Sequence, residues 1–142
     1  MSKLQIVVDT NVLIAALRSK RGAASLFLLR LNDDRWIINV STALLLEYEE
    51  VLKRPDMRPF ISAGEADELI DAICSIAKDH DIFYLWRLLV RDPEDAFIFE
   101  LAVSANADFL ITFNTKDFLK AVDFGVKLVT PREFLDFVGD LS

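Results

Sequence analysis

Apolar and polar positions follow one another along this chain in two rhythms, short apolar runs and longer amphipathic stretches. Leu4-Gln5-Ile6-Val7-Val8 is a nearly continuous apolar run, the pattern of a strand covered on both faces of a parallel sheet. Asp9-Thr10-Asn11 then supplies helix-capping residue types ahead of a helix over residues 12–17. The basic turn Arg18-Ser19-Lys20-Arg21-Gly22 leads into a helix over residues 23–31, which Asn32-Asp33-Asp34 ends. Trp36-Ile37-Ile38-Asn39-Val40 reads as a second strand, and Ser41 or Thr42 caps a helix that Pro55 stops near residue 54. Ser62-Ala63-Gly64-Glu65 has the spacing of a capping box, and the helix behind it is expected to reach residue 78. Residues 82–90 crowd Phe83, Tyr84, Leu85, Trp86, Leu88 and Leu89 together and read as a core strand or helix, with a partner interface as the alternative. Pro93 takes the favoured first position of a helix over residues 96–105. Residues 109–113 and 126–129 are the third and fourth strands, and Pro131 opens a closing helix through residue 138.

Strands and helices alternate, which predicts a single α/β domain over residues 1–142 with three layers, α/β/α, and a largely parallel central sheet. Composition agrees: 53% hydrophobic residues exclude a disordered chain, and four Gly and four Pro are too few for a long linker. No apolar stretch approaches the roughly 20 residues of a membrane span, and Met1-Ser2-Lys3 leads straight into a strand, so a cytoplasmic protein without membrane association is expected.

The single cysteine, Cys74, is expected to be a buried helical thiol, and the single histidine, His80, to cap or flank a helix end in solvent. One residue of each kind excludes zinc sites of the Cys/His type, and any Ser-His-Asp or Cys-His centre would depend on His80 alone. Carboxylate chemistry is what remains. The net charge of −7 argues against a broad electrostatic footprint for nucleic acid. It leaves room for a nucleic-acid enzyme, because metal ions in an acidic pocket reverse the local field. Basic residues also cluster locally, as Arg18, Lys20 and Arg21, the candidates for binding substrate, and as Lys53, Arg54 and Arg58.

Three carboxylates stand where apolar or neutral residues would be ordinary. Asp9 follows the first strand, at the carboxyl end where ligands bind in a parallel α/β sheet; its alternative is an N-cap, a task that Thr10 or Asn11 can also perform. Glu47 shares a helix face with Leu44, Tyr48 and Val51, while Glu49 and Lys53 are spaced for an i, i+4 pair on the polar side; its alternative is the edge of the stripe. Asp95 shares the stripe of Ile98 and Ala102, with a first-turn acid as its alternative, and Asp92 reads more simply as that helix's N-cap. Asn114 and Asp117, after the third strand, are candidate further oxygen ligands, or else turn and capping residues. Crowded like charges are unfavourable unless cations or protons compensate. Hard oxygen donors without histidine or cysteine select Mg²⁺ or Mn²⁺, ions suited to phosphodiester hydrolysis.

Val7-Val8-Asp9-Thr10-Asn11-Val12-Leu13, the Val40-Ser41 strand end with Glu47 following, Arg91-Asp92-Pro93-Glu94-Asp95, and Ala107-Asp108-Phe109-Leu110-Ile111-Thr112 together resemble the PIN-domain family. Arg21-Gly22-Ala23 and Leu128-Val129-Thr130-Pro131-Arg132-Glu133-Phe134-Leu135 resemble its VapC-like branch, the toxin components of toxin–antitoxin systems. The resemblance implies an Mg²⁺- or Mn²⁺-dependent ribonuclease, an antitoxin protein as partner, and homodimerisation, which is common in the family. It implies an acidic quartet at Asp9, Glu47, Asp95 and the position of Asn114, with Asp117 completing the ion's shell, Thr10, Ser41 and Thr112 bonding phosphate or supporting groups, and Asn11 and Asp92 as further supporting residues.

Many relatives read Thr-Gly-Asp where this chain has Thr112-Phe113-Asn114, while some branches carry Asn followed by Lys-Asp-Phe, as in Asn114-Thr115-Lys116-Asp117-Phe118. Asparagine keeps an oxygen ligand but removes a charge, so a second ion should bind more weakly. The alternative is a PIN fold of reduced activity that binds protein or RNA. A phosphatase of the haloacid dehalogenase type would want Asp-x-Asp where this chain has Asp9-Thr10-Asn11.

Overall fold

The computed structural model describes residues 2–81 and 93–141, with backbone alone at residues 93–95. Among the described residues five parallel strands form the sheet, in the order β3-β2-β1-β4-β5. They are β1 (Leu4–Val8), β2 (Trp36–Ser41), β3 (Lys78–His80), β4 (Phe109–Ile111) and β5 (Lys127–Val129). The helices are α1 (Thr10–Arg18), α2 (Ala23–Leu29), α3 (Thr42–Leu52), α4 (Ala63–Ile76), α5 (Pro93–Ser104) and α6 (Pro131–Phe137), with a kinked 3₁₀ segment over Thr115–Phe124. The α/β architecture read from the sequence is thus the observed one. Residues 82–90, whose crowded aromatics were ambiguous, and Asp92 lie outside the described residues.

β1 is central and fully apolar at Ile6, Val7 and Val8, as a strand covered on both faces must be. Leu4 pairs in register with Trp36, and Ile6 with both Ile38 and Phe109, so these side chains share one face. Trp36 and Phe109 there meet Phe27 of α2 and Phe134 of α6 in a cluster of stacked and edge-on rings with centroids 5.1–6.4 Å apart. Such pairs add about 0.5–1.5 kcal/mol each beyond area burial. On the other face α5 packs against β1 and β2.

The sequence expected four strands, and β3 is the fifth. The helix expected to reach residue 78 ends at Ile76, where the chain turns into the short strand Lys78–His80 beside β2. Backbone pairing with Asn39, Val40 and Ser41 overrides the polar composition of Lys78-Asp79-His80. His80 is therefore no helix-end residue in solvent: its Nε2 lies 2.7 Å from Oδ1 of the fully buried Asn39, whose Nδ2 donates to the carbonyls of Ile6 and Ile37 and to Gln5 Oε1. Partial burial and nearby Lys78 lower the His80 pKa from its ordinary value. Cys74 is also a correction, because it is exposed: the buried side of α4 is carried by Ala66 and Ile73. The capping box at Ser62 and Glu65 forms as expected, as does the Glu49–Lys53 pair at 3.4 Å, with Lys53 also bridging to Asp67 of α4 at 2.6 Å.

The strand order places a topological switch point between β1 and β4: the chain leaves β1 for β2 on one side and later returns to β4 on the other. Connections diverge there and leave a crevice at the carboxyl ends, the place where open α/β sheets bind ligands. Asp9 follows β1 and Thr112 follows β4 at that edge.

Candidate functional site

Asp9 occupies the N-cap position of α1 with extended backbone, φ −68° and ψ 147°, yet its side chain makes no capping bond. The carboxylate instead accepts a hydrogen bond at Oδ2 from the Thr112 hydroxyl at 2.7 Å, across the switch point. Neither neighbour caps α1 in its place. The Thr10 hydroxyl donates to Glu47 Oε2, and Asn11 Oδ1 accepts from the Phe113 N–H at 3.4 Å. All three residues of Asp9-Thr10-Asn11 therefore engage their side chains in tertiary contacts around the sheet edge, with Asp9 at the N-cap position of α1 as well.

Asp9 is 7% exposed. Burial pushes its pKa above the ordinary aspartate value; the Thr112 hydroxyl and the nearby N–H groups of Thr10 and Asn11 pull it down, and the charge of Asp117 pushes it up. Asp117, exposed in the first turn of the 3₁₀ segment, is thus close enough to act on Asp9 electrostatically.

Glu47 is half-buried on α3 and lines an open cleft of about 390 Å³ with Ala43, Leu46, Glu50, Arg54 and Phe97. Next to it Tyr48, wholly buried, donates its hydroxyl to the Val8 carbonyl and so pins α3 to the end of β1. Burial first, then the charges of Asp9 and Glu47, raise the Tyr48 pKa well above that of a free phenol. The charges of both Asp9 and Glu47 therefore act on this one hydroxyl. Tyr48 read in the sequence as a member of an apolar stripe; its polar end became meaningful only once β1 lay beneath it.

Thr112 is fully buried and also accepts from the Asn114 N–H at 3.0 Å, so one hydroxyl organises Asp9 and the turn after β4. Thr112→Val keeps the shape but orphans a buried carboxylate oxygen and an N–H. We expect it to destabilise the protein by about 1–3 kcal/mol, with Thr112→Ser close to wild type. Urea midpoints measure this, and equal midpoints for the valine and serine variants would refute the role.

The remaining candidates are placed as follows. Asn114 is exposed at the start of the 3₁₀ segment, and its side chain makes no capping bond there. Ser41 caps α3, accepting from the Leu44 N–H at 3.2 Å, so its hydroxyl is already engaged. Asp95 lies in the first turn of α5, with its side chain outside the described residues. Among the described residues no group of three or more His, Cys, Asp and Glu side chains is arranged to hold a metal ion.

Arg18, Lys20 and Arg21 are exposed at the far end of α1, with Arg18 about 12 Å of helix from Thr10. The structure does not bring them to the carboxylates, and the Arg18 guanidinium lies 5.3 Å from the Phe60 ring centre. Glu100, 5% exposed on α5, is a buried carboxylate that the sequence reading passed over. Its signal was an acid inside the apolar run Ile98-Phe99-Glu100-Leu101-Ala102.

Carboxylates at the carboxyl edge of a parallel sheet suit more than one metal-assisted chemistry, and family comparison narrows the choice. Residues 5–116 match the PIN domain model, and the chain belongs to the PIN-domain family. Among solved structures it is similar to a chain of VapBC2 from Rickettsia felis, described as bound to a DNA fragment from their promoter, with TM-score 0.61 and 17% identity over 88% of this chain and 98% of that one. It is similar as well to a chain of VapBC-1 from nontypeable Haemophilus influenzae, with TM-score 0.61 and 17% identity over 91% of this chain and 99% of that one. At that identity the likeness is one of fold. No curated protein matches the chain.

Proposed function

We propose that the protein is a metal-dependent endoribonuclease that hydrolyses RNA phosphodiester bonds, and that it is the toxin of a toxin–antitoxin pair. The observation that carries the reading is the buried Asp9 carboxylate at the switch point, held by Thr112 and joined by Glu47 through Thr10. Membership of the PIN-domain family and the fold shared with VapBC chains support it. The VapBC likeness also supports a cognate antitoxin as partner.

The donor set fits a hard cation. A carboxylate whose ionisation is opposed by burial and by a neighbouring acid gains most from a nearby positive charge. Asp9, Glu47 and Asp95 would hold Mg²⁺ or Mn²⁺, with Asn114 and Asp117 completing the shell. Bound there, the ion would supply a nucleophilic water and offset charge on the phosphate. The chain's own part is positional: Thr112 fixes the rotation of the Asp9 carboxylate, Thr10 that of Glu47, and Tyr48 holds the two supporting elements in one arrangement.

The test is cleavage of single-stranded RNA by the purified protein with millimolar Mn²⁺ and with chelator. Cleavage that requires the ion is expected, and Asn114→Asp should lower the Mn²⁺ concentration for half-maximal activity severalfold by restoring a charged ligand. No cleavage by either protein, with RNA or antitoxin still bound, would replace this reading with that of a binding module.

A further inference from the structure

Phe113 adjoins the site, one residue beyond Thr112 and one before Asn114, and is 46% exposed. The backbone beneath it is pinned from two sides: its own N–H donates to Asn11 on the first turn of α1, and the Asn114 N–H donates to Thr112. Such a base fixes the backbone from which the ring projects. Other exposed phenylalanines have company. Phe60 lies beside the Arg18 guanidinium, Phe124 packs edge-on to Phe99, and Phe137 packs on Phe109 near the Lys127 ammonium. Among the described residues, the Phe113 ring has no aromatic or cationic neighbour of this kind.

A second observation concerns where binding energy for a polyanion can come from. The chain carries a net charge of −7, and Arg18, Lys20 and Arg21 stand at the end of α1 remote from Asp9. Arg54, which lines the cleft beside Glu47, is paired with Glu50 at 3.0 Å, so contacts that do not depend on charge have room to add to the hold on a substrate near the carboxylates. Stacking of a base on an aromatic ring is such a contact, available for any base whose face is exposed, as in a single strand.

We infer that Phe113 is the stacking platform for a nucleobase next to the scissile phosphate of single-stranded RNA. The inference rests on the ribonuclease reading and assigns a substrate contact within that site. Stacking serves ground state and transition state alike, so its loss should raise KM and leave kcat nearly unchanged.

The test uses a fluorescein-labelled RNA of about eight nucleotides, within the length that one binding groove covers. Anisotropy is read in an Asp9→Asn background, where the strand survives. Phe113→Ala should weaken binding about 10-fold, the scale of one lost base–aromatic stack, whereas Leu29→Ala, at an apolar α2 position 83% exposed, should change nothing. Phe113→Trp should retain affinity, and its added emission, relative to the Phe113 parent, should be quenched as RNA saturates. With Asp9 intact, Phe113→Ala should raise KM by a similar factor. An unchanged dissociation constant for Phe113→Ala, or unquenched emission at saturation, overturns the stacking role while RNA cleavage by the wild type leaves the ribonuclease reading standing. Absence of both cleavage and RNA binding in every protein overturns the two together.

Discussion

Asp9→Asn is expected to lower RNA cleavage by about 10²-fold or more, the scale on which removal of a single group that stabilises transition-state charge is felt, and at the same time to stabilise the metal-free fold at neutral pH. The two effects share one cause. Burial raises the Asp9 pKa above its unfolded value, so the folded protein holds that proton more tightly than the unfolded chain does. The stability linked to this proton is fully present below the unfolded pKa and is lost as pH rises through the folded one. Above its unfolded pKa, Asp9 is therefore a liability to the apo fold, one that asparagine removes while still accepting from Thr112. Asp33 and Asp140, whose pKa values are lowered by Arg35 and by the Arg30–Arg35 pair, contribute with the opposite sign but equally in both proteins, so they cancel in the comparison. Melts with chelator from about pH 4 to pH 8 should show the advantage of the variant growing with pH and then levelling off above the folded pKa. A variant that melts below wild type at neutral pH, or that cleaves RNA as fast, would remove Asp9 from the centre of the site.

Mn²⁺ is expected to raise the melting temperature of the wild type by an amount on the order of 10 °C. An ion at about 100 times its dissociation constant adds roughly 2.7 kcal/mol when it binds only the folded state, and for a chain of this length each kcal/mol moves the midpoint by several degrees. The sign follows from electrostatics: the ion relieves the burial cost of Asp9 and the repulsion of Asp117. Glu47→Gln should reduce the shift, because it keeps an oxygen to accept from Thr10 but presents no charge to the cation. Scanning calorimetry with Mn²⁺ against chelator makes the measurement. Identical midpoints with and without the ion would count against any metal at this edge.

Much of the candidate site was legible before the fold was known, and for a definite reason. Asp9 directly after an apolar run, and Glu47 within the Leu44-Tyr48-Val51 stripe, each violate a local pattern, and such violations show in sequence because periodicity is a property of neighbours. The basic turn misled as to distance alone, because Arg18, Lys20 and Arg21 are near Asp9 in the chain but a helix length away in space. Cys74 misled differently: an apolar neighbourhood in sequence did not indicate which side of α4 faces α3, and Ile73 took the buried side.

The sequence by itself determined the alternation of strands and helices, the capping box at Ser62, the Glu49–Lys53 pair and the identity of the acids, since each depends on residues within about one turn or one strand of each other. Only the tertiary structure decided that Lys78–His80 pairs as a strand beside β2, where backbone hydrogen bonds outweigh polar side chains. It also decided that the switch point falls between β1 and β4, so that Thr112, distant in the chain, meets Asp9, and that Tyr48 and Thr10 join α3 to the end of β1. Those contacts link residues 37 to 103 positions apart. Nothing in a local pattern encodes them, because they exist only when sheet order and packing bring separate elements to one edge.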